Sequence, residues 1–435
     1  MNRLTAVVAA LAFAPAALAQ ENPQGAAAPA EQQPAAPPQP APSPAASDTA
    51  DAAALQGKVE ALDATLAEVK GVADKLNRLK ISGYIQARWA YKEPALPDAA
   101  PPNAYNTSPA ANVPQNGFFI RRGRFKTVYD GDRAQFVLQV DAIPAGVTIK
   151  EGYASVKLPK GWAIDAGLQL FPFGYEVHSR SSSDLDTLER AAVTRAFLAG
   201  EYDLGVALRG RAGPVNLKVG LFNGNGIDGP SSSDKGLDND QLKDVVGRAT
   251  VDLGMITAGL SGWYGKTIDW ARADDRKFDR YRVGADVQVF FDLLPVGGTA
   301  VKGEWIWGRT TIGSSSGGTG NGGAGGNLPS STSSAPVPTG SGWYVILTQN
   351  VGPWNQIAAR YEQYTPNRTL AQQSATEDTK NVKTQEEVQV ALHTFVGANL
   401  KVTAAWFHPM FGKTVGPAPG DPNADQFIAQ VQAKF

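Results

Sequence analysis

The chain of 435 residues contains no cysteine and only three histidines, His178, His393 and His408. Without cysteine there are no disulfide bonds and no thiolate metal sites. The histidines fall in different predicted elements, which argues against a histidine metal centre. Asp184 and Asp186 could form a carboxylate pair of the glycosidase kind, but the neighbouring arginines suit an ion-paired loop better. With no P-loop and no nucleophile elbow, we predict no catalytic residues, no metal, no cofactor and no enzymatic activity.

The sequence also lacks an excess of either charge. Its 40 basic and 41 acidic residues give a formal net charge of −1. This balance excludes a global interaction with a polyanion, and we expect no nucleic-acid partner. Any electrostatic function must therefore come from where the charges are placed.

Long apolar runs are missing beyond the first residues. Residues 1–19 combine a basic Arg3 with an apolar run and small residues before Gln20, which predicts a cleaved signal peptide and export. No later window approaches the ~20 apolar residues that a membrane-spanning helix needs. A location in a membrane would therefore require a β-barrel. A soluble secreted protein is the alternative at this step.

Two short segments follow the predicted signal peptide. Residues 20–50 are rich in Ala and Pro and predict a disordered tether. Residues 51–80 carry a heptad repeat that predicts a short periplasmic coiled coil. The seam residues are Leu55, Val59, Leu62, Leu66, Val69, Ala73 and Leu76. The tether and helix, residues 20–80, could bind peptidoglycan or a periplasmic partner, which would make the protein an envelope tether.

From residue 81 to residue 435 the pattern changes to a period of two. Ile81 and Ile85 alternate with polar residues such as Gln86 and Arg88, which is typical of a membrane-spanning β-strand. About sixteen such segments follow one another, and short turns alternate with long loops. The last segment ends at an aromatic residue, Phe435. We therefore predict an all-β fold, a 16-stranded antiparallel transmembrane β-barrel preceded by the coiled-coil helix.

Residues 167–197 break the strand pattern at Pro172 and resemble the third extracellular loop of the phosphate-selective porin O/P family. The shared features are a G-x-x-x-x-P-F-G strand end and a Ser-rich loop with Leu-Glu-Arg. Residues 118–125 (FFIRRGRF) resemble the second strand of that family, and residues 205–224 resemble its next hairpin. The resemblance implies a trimeric barrel in the bacterial outer membrane, embedded in outer-membrane lipids, with loop 172–199 folded into the barrel.

If the apolar phase faces lipid, basic residues outnumber acidic residues on the phase that faces the lumen. We therefore predict a water-filled, anion-preferring channel for phosphate or other small inorganic anions. The predicted pore-lining and anion-binding residues are Arg88, Arg122, Arg124, Lys126, Arg180, Arg190, Arg195, Arg209, Arg211 and Lys302.

Two alternatives bear on this assignment. Arg122, Arg124 and Lys126 could brace the wall by pairing with acids, although no acid lies between them in the sequence. Arg121 falls on the apolar phase, so it either snorkels at the rim or lies beside a β-bulge.

Phosphate-specific members of the family have a lysine on the inward loop, whereas loop 172–199 has none. The sequence thus predicts general anion selectivity, or a differently selective porin, more than strict phosphate specificity.

Overall fold

A computed structural model describes residues 47–92, 116–198, 201–224, 226, 241–268, 277–309, 339–365, 384–411 and 425–435. The chain divides into two compact units, Met1–Val69 and Lys70–Phe435. The predicted signal peptide, residues 1–19, lies outside the described residues, as does the predicted tether up to residue 46. Both remain predictions.

The N-terminal helix α1 covers Ser47–Asn77. It begins four residues before the predicted boundary at residue 51, inside the segment assigned to the tether, and ends before residue 80. The predicted seam is exposed along the helix, with Leu62 67% and Leu66 65% exposed. No helix among the described residues is long and apolar enough to cross a membrane.

Sixteen antiparallel strands form a closed barrel, as predicted. The strands are β1 Leu79–Lys92, β2 Asn116–Asp130, β3 Ala134–Ile143, β4 Gly146–Lys157, β5 Ala163–Leu170, β6 Tyr202–Ala212, β7 Val215–Phe222, β8 Asp244–Asp252, β9 Ile256–Ile268, β10 Lys277–Leu294, β11 Gly297–Arg309, β12 Gly340–Val351, β13 Asn355–Thr365, β14 Gln385–Val396, β15 Leu400–Phe411 and β16 Gln426–Lys434. Each strand pairs with its neighbours in sequence.

Closure joins the first strand to the last. β1 pairs with β2 on one side and with β16 on the other. Gly83 and Phe435 exchange backbone hydrogen bonds of 3.1 and 3.0 Å, which continue this pairing to the carboxyl terminus. The barrel therefore has no open edge, as a β-structure in hydrocarbon requires.

The period of two separates the two faces of the wall. On β1, Ile81 and Ile85 are 53% and 50% exposed, while Gln86 and Arg88 point inward and are 2% and 4% exposed. Successive side chains of a strand point to opposite faces, so the apolar residues cover the outside and the polar residues line the inside.

The strand register shifts at three places: near the β10–β11 turn, between Phe291 and Leu294, and at two β-bulges on β2 and β4. Gln86 pairs with Arg122 and Ala87 pairs with Ile120, so Arg121 has no partner on β1. In the same way Gln139 pairs with Glu151 and Val140 pairs with Ile149, which leaves Lys150 as the extra residue. A bulge adds one residue to one strand and shifts the phase on either side of it. Of the two options for Arg121, the structure shows the bulge.

The bulge at Arg121 changes the face on which Phe119 lies. A strict period of two, counted from Gly123 and Phe125, predicts that Phe119 points outward. Instead Phe118 is the outward residue and is 85% exposed, whereas Phe119 packs inward against a cluster that contains Leu188. The extra residue reverses the phase, so a strict period of two fails across it.

We expect Gly83→Val to impair closure of the barrel. A Cβ at Gly83 would meet the backbone carbonyl of Arg124 and the ring of Phe435. Overpacking at such a contact should destabilise the closed barrel by roughly 2 kcal/mol. Unheated samples on gels would then show a smaller fraction of folded protein. Ala87→Val, on the outer face of the same strand, is the matched control, and equal folding of both variants would contradict the prediction.

Candidate functional site

The connection between β5 and β6 forms a compact structure of its own, which we call the loop segment, residues 171–198. It contains a π-helical turn, Gly174–Ser179, and a short helix, α2, Ala192–Phe197. Its apolar residues are packed with inward side chains of the wall. The residues of this cluster include Phe171, Phe173, Val177, Val193, Phe197, Trp263, Tyr344, Ile346 and Tyr364. The loop segment is therefore held by burial of apolar surface as well as by polar contacts.

Polar contacts join the loop segment to strands on opposite sides of the barrel. Gln86 on β1 donates a hydrogen bond to the carbonyl of Ser182 (3.2 Å). On the far side Ser261 of β9 accepts a hydrogen bond from the backbone N–H of Gly174 (3.0 Å). Gly174 has φ +73°, and a Cβ there would meet the Glu304 carboxylate. The loop segment thus crosses the inside of the barrel.

Glu189 of the loop segment is the centre of an arginine cluster. Its carboxylate lies 2.6 Å from Arg88, 2.8 Å from Arg121 and 3.3 Å from Arg122. Burial alone would raise the pKa of Glu189. The three guanidinium groups outweigh burial and hold this pKa well below its usual range. Glu189 is therefore ionised, and three positive charges share one negative charge.

A second ionic contact lies at the tip of the loop segment. Lys302 approaches Asp186 at 2.6 Å and Arg180 approaches the same carboxylate at 3.4 Å. His393 of β14 makes a 2.8 Å hydrogen bond with the Asp186 carbonyl oxygen through Nε2. Lys434 pairs with Asp184 at 3.2 Å. The carboxylate pair is thus tied to cations, as the ion-paired interpretation predicts.

The loop segment covers a group of acidic residues on one side of the barrel. Arg360 is fully buried there and lies 2.8 Å from Glu362, 3.4 Å from Glu387 and 3.6 Å from Glu176. The N–H groups of the loop segment point into the same group, since Ala191 donates to Glu176 at 2.7 Å. Burial raises the pKa of Glu176 despite the opposing effect of Arg360. These carboxylates are enclosed and do not face the open lumen.

Two ion pairs on the remaining wall, from β2 to β7, present the cation more openly than the acid. Lys126 is 31% exposed while its partner Glu151 is 8% exposed. Arg209 is 40% exposed while its partner Asp165 is 1% exposed. Lys150, at the second bulge, lies over the ring of Tyr202 with 5.8 Å to the centroid. An ion in the lumen would therefore meet the cation of each of these pairs first.

The predicted site residues fall into three groups. Four lie in or near the arginine cluster. Arg88 and Arg122 contact Glu189, Arg124 contacts the Tyr202 hydroxyl, and Arg190 pairs with Glu201. Four make contacts along the wall or at the tip of the loop segment: Lys126, Arg180, Arg209 and Lys302. Two serve local hydrogen bonds: Arg195 donates to the Arg190 carbonyl, and Arg211 donates to the Gly213 carbonyl in an exposed turn.

The three basic residues that alternate along β2, Arg122, Arg124 and Lys126, are each paired with an acid from another element. Arg122 contacts Glu189 of the loop segment, Arg124 contacts Asp141 of β3 at 3.3 Å, and Lys126 contacts Glu151 of β4 at 2.5 Å. No acid lies between these residues on β2, and their acidic partners come from the loop segment and from β3 and β4. Bracing of the wall is therefore part of their role.

The sequence did not identify Arg121, Lys150 or Arg360 as site residues in the predicted set. Arg121 and Lys150 are the extra residues of the two bulges. A strict period of two therefore does not predict that their side chains lie on the inner face. Arg360 was on the predicted lumen phase, but nothing local shows that three carboxylates converge on it. Within the described ranges, no group of three or more His, Cys, Asp or Glu side chains could hold a metal ion.

No family model matches the chain, and no curated protein matches it. Solved porin structures do. The anion-selective porin from Comamonas acidovorans is 13% identical, with a TM-score of 0.52 over 82% of this chain and 99% of that porin. The outer membrane channel DcaP of Acinetobacter baumannii is 12% identical, with a TM-score of 0.52 over 82% and 97% of the two chains. Salmonella typhi OmpF, in complex with daunomycin, is 9% identical, with a TM-score of 0.54 over 82% and 97%.

At these identities the likeness is one of fold. The chain has the fold of a porin-like outer-membrane channel, and its structural neighbours are bacterial outer-membrane porins. The narrower resemblance to the phosphate-selective O/P family remains a prediction from the sequence.

We expect Glu189→Gln to loosen the loop segment. The change leaves three guanidinium groups without their shared carboxylate, which should destabilise the loop segment by on the order of 3 kcal/mol. Limited proteolysis within residues 171–198 and the thermal unfolding midpoint would measure the effect. Asp132→Asn is the matched control, because it removes an exposed partner of Arg78 whose contribution is small.

The same variant has a defined pH dependence. The folded pKa of Glu189 is lowered, so its stabilising effect is present above the ordinary carboxyl pKa and is lost as pH falls through the lower folded value. The difference in stability between wild type and Glu189→Gln should therefore persist through mildly acidic pH. A difference that disappears already at pH 5 would contradict the assigned direction.

Proposed function

We propose that the protein is an outer-membrane porin that forms a water-filled, anion-preferring channel for phosphate and other small inorganic anions. In this proposal the long loops face the outside of the cell, the N-terminal segment lies in the periplasm, and three copies assemble in the outer membrane. The porin-like fold and the resemblance of residues 118–226 to the O/P family support it.

The observation that carries the anion preference is the unequal exposure of the two signs of charge. The loop segment encloses the carboxylates of Glu176, Glu362 and Glu387, whereas Arg121, Lys126 and Arg209 on the open wall are 22%, 31% and 40% exposed. Charges on the wall of a narrow, low-dielectric tube set the local concentration of counter-ions. A chain with almost no net charge can thus present a positive lumen.

The chemistry of the cluster suits oxyanions. Guanidinium groups offer paired N–H donors that match the oxygens of phosphate. Arg121 already binds the Glu189 carboxylate in this manner, through Nε at 2.8 Å and Nη2 at 3.2 Å, and Arg88 and Arg122 each add one further donor. The loop segment contributes arginines and no lysine. We therefore infer a broad anion preference in which phosphate is one permeant ion among several.

We expect the double substitution Arg121→Gln and Lys150→Gln to lower the chloride-to-potassium permeability ratio several-fold. Each removes a lumen charge worth on the order of 1 kcal/mol to a nearby ion. Both residues lie at bulges outside the paired ladder, so the barrel should remain folded. Reversal potentials in planar bilayers with a salt gradient measure the ratio.

Two controls accompany this measurement. Lys160→Gln removes an exposed cation from the β4–β5 turn and should leave the ratio unchanged. Glu189→Gln removes a negative charge from the cluster and should raise the ratio, opposite to the double variant. Wild-type selectivity in the double variant, with normal conductance, would show that the bulge cations do not set the anion preference.

The N-terminal helix supports a second, compatible role. Leu55, Leu62, Leu66 and Leu76 of α1 are each more than 60% exposed in the single chain, although all lie on one heptad seam. An apolar seam of this kind is buried when helices associate. We infer that α1 forms a coiled coil between copies, and that residues 20–80 link the barrel to the envelope through peptidoglycan or a periplasmic partner.

We expect Leu62→Gln together with Val69→Gln to lower the thermal stability of the trimer without producing monomers. Barrel contacts carry most of the proposed interface, and a helix this short adds to them. Unheated gel migration at rising temperature measures the change. Ala64→Gln, outside the seam, is the control. Monomers at room temperature would show that the coiled coil holds the assembly together.

A further inference from the structure

The outer face of β7–β11 carries a groove made by missing side chains. Gly247 of β8 and Gly262 of β9 lie directly opposite each other. A Cβ at Gly262 would meet nothing within 4 Å, so the space above it is open. The groove has a volume of about 480 Å³. Its apolar lining consists of Leu217, Val219, Ala249, Leu260, Val283, Ala285 and Trp305. We call this the outer groove.

A row of aromatic residues borders the outer groove on the side of the long connections. Tyr281 pairs with Tyr264 on β9 and with Arg309 on β11. Its ring lies 5.4 Å from the ring of Trp307. Aromatic side chains of this kind lie at the boundary between hydrocarbon and headgroups in membrane barrels. The outer groove therefore lies at the depth of the acyl chains next to that boundary.

Cations lie along and beyond the aromatic row. Lys266 and Lys277 are exposed at the ends of β9 and β10, and Arg309 lies over the ring of Tyr281 at 5.4 Å. Within the described ranges, Asp279 pairs with Lys266 at 3.7 Å, and this pair is exposed and therefore weak. Arg309 has no ion pair among the described residues, and its buried Nε makes no hydrogen bond there. Among the described residues of this face, three cations thus lie beside one carboxylate at headgroup depth.

We propose that this face binds a phosphorylated glycolipid of the outer leaflet. The phosphate groups contact Lys266, Lys277 and Arg309, and one acyl chain fills the outer groove. The inference rests on the proposed outer-membrane location, in which the long loops and this end of the barrel face outward. Basic residues beside an apolar, lipid-facing groove match an anionic headgroup joined to an acyl chain.

The charges favour a lipid over a second copy of the chain. A protein covering this face would bury two lysines and an arginine with a single described acid of this surface, Asp279, beside them, which is costly. A phosphate headgroup neutralises the same cations while remaining in contact with water. Lipid also fills the outer groove without requiring a complementary protein surface.

The test uses the full-length protein in detergent, with native mass spectrometry as the readout. The probes are diphosphoryl lipid A, monophosphoryl lipid A and phosphatidylcholine. We expect wild type to retain diphosphoryl lipid A most strongly. The triple variant Lys266→Gln, Lys277→Gln and Arg309→Gln should lose on the order of a hundredfold in affinity for it. Gly262→Leu, which fills the outer groove, should lose several-fold for all three lipids.

Two variants serve as matched controls. Lys160→Gln controls for the loss of charge, and Ala258→Leu, which lies on β9 with Gly262 but outside the groove lining, controls for the added volume. Both should bind the lipids as wild type does. Channel conductance and selectivity should be unchanged in every variant, because the substituted residues face outward. Equal retention of the three lipids by wild type, or unaltered binding by the triple variant, overturns the proposal. A lower oligomeric mass in Gly262→Leu with unchanged lipid binding would identify a second copy as the occupant instead.

Failure of the proposed function has a different signature. If wild type forms no conducting channel in bilayers, the porin proposal fails whatever the lipid result. If channels form normally and lipid binding shows no dependence on phosphate, the lipid inference alone fails. Should the triple variant not fold, Lys266→Gln alone tests the same charge dependence, with an expected loss of about fivefold.

Discussion

The structure depends on one constraint, the pairing of every backbone N–H and C=O group in a wall that has no edge. β1 meets this constraint by pairing with both β2 and β16, and the contact between Gly83 and Phe435 extends it to the last residue. Unpaired backbone groups in hydrocarbon cost several kcal/mol each. In the closed wall every strand is paired on both sides. The position of a residue along its strand therefore decides whether its side chain points into the barrel or out of it, except at a bulge.

The distribution of charge follows from that wall and from the loop segment that crosses it. The loop segment packs over the side that carries Glu304, Glu362 and Glu387, and its backbone N–H groups satisfy carboxylates there. On the other side the bulges add Arg121 and Lys150 to the inner face. A nearly neutral chain thus separates enclosed acids from more open cations, which is the physical basis of the proposed anion preference.

The strands could be predicted because their signals are local. An alternation of apolar and polar residues is contained within about ten residues, and the turns between strands have their own sequence signals. Sixteen strands were predicted, most of them close to their observed positions. β4 is a useful exception, since it begins at Gly146 whereas the alternation indicated a start at Lys150. The bulge at Lys150 reverses the phase, so Val147 and Ile149 did not extend the pattern that follows.

The sequence by itself determined the barrel, the number of strands, the face on which most side chains lie and the position of the inward loop. It also predicted a set of basic residues for the inner face, and the structure shows which contacts each of them makes. Only the tertiary structure decided how these cations are paired, because Glu189 reaches Arg88, Arg121 and Arg122 from a loop about seventy to one hundred residues away in sequence. Ion pairs of this kind depend on the path of the loop and on strand register, which are set by long-range packing rather than by any local pattern.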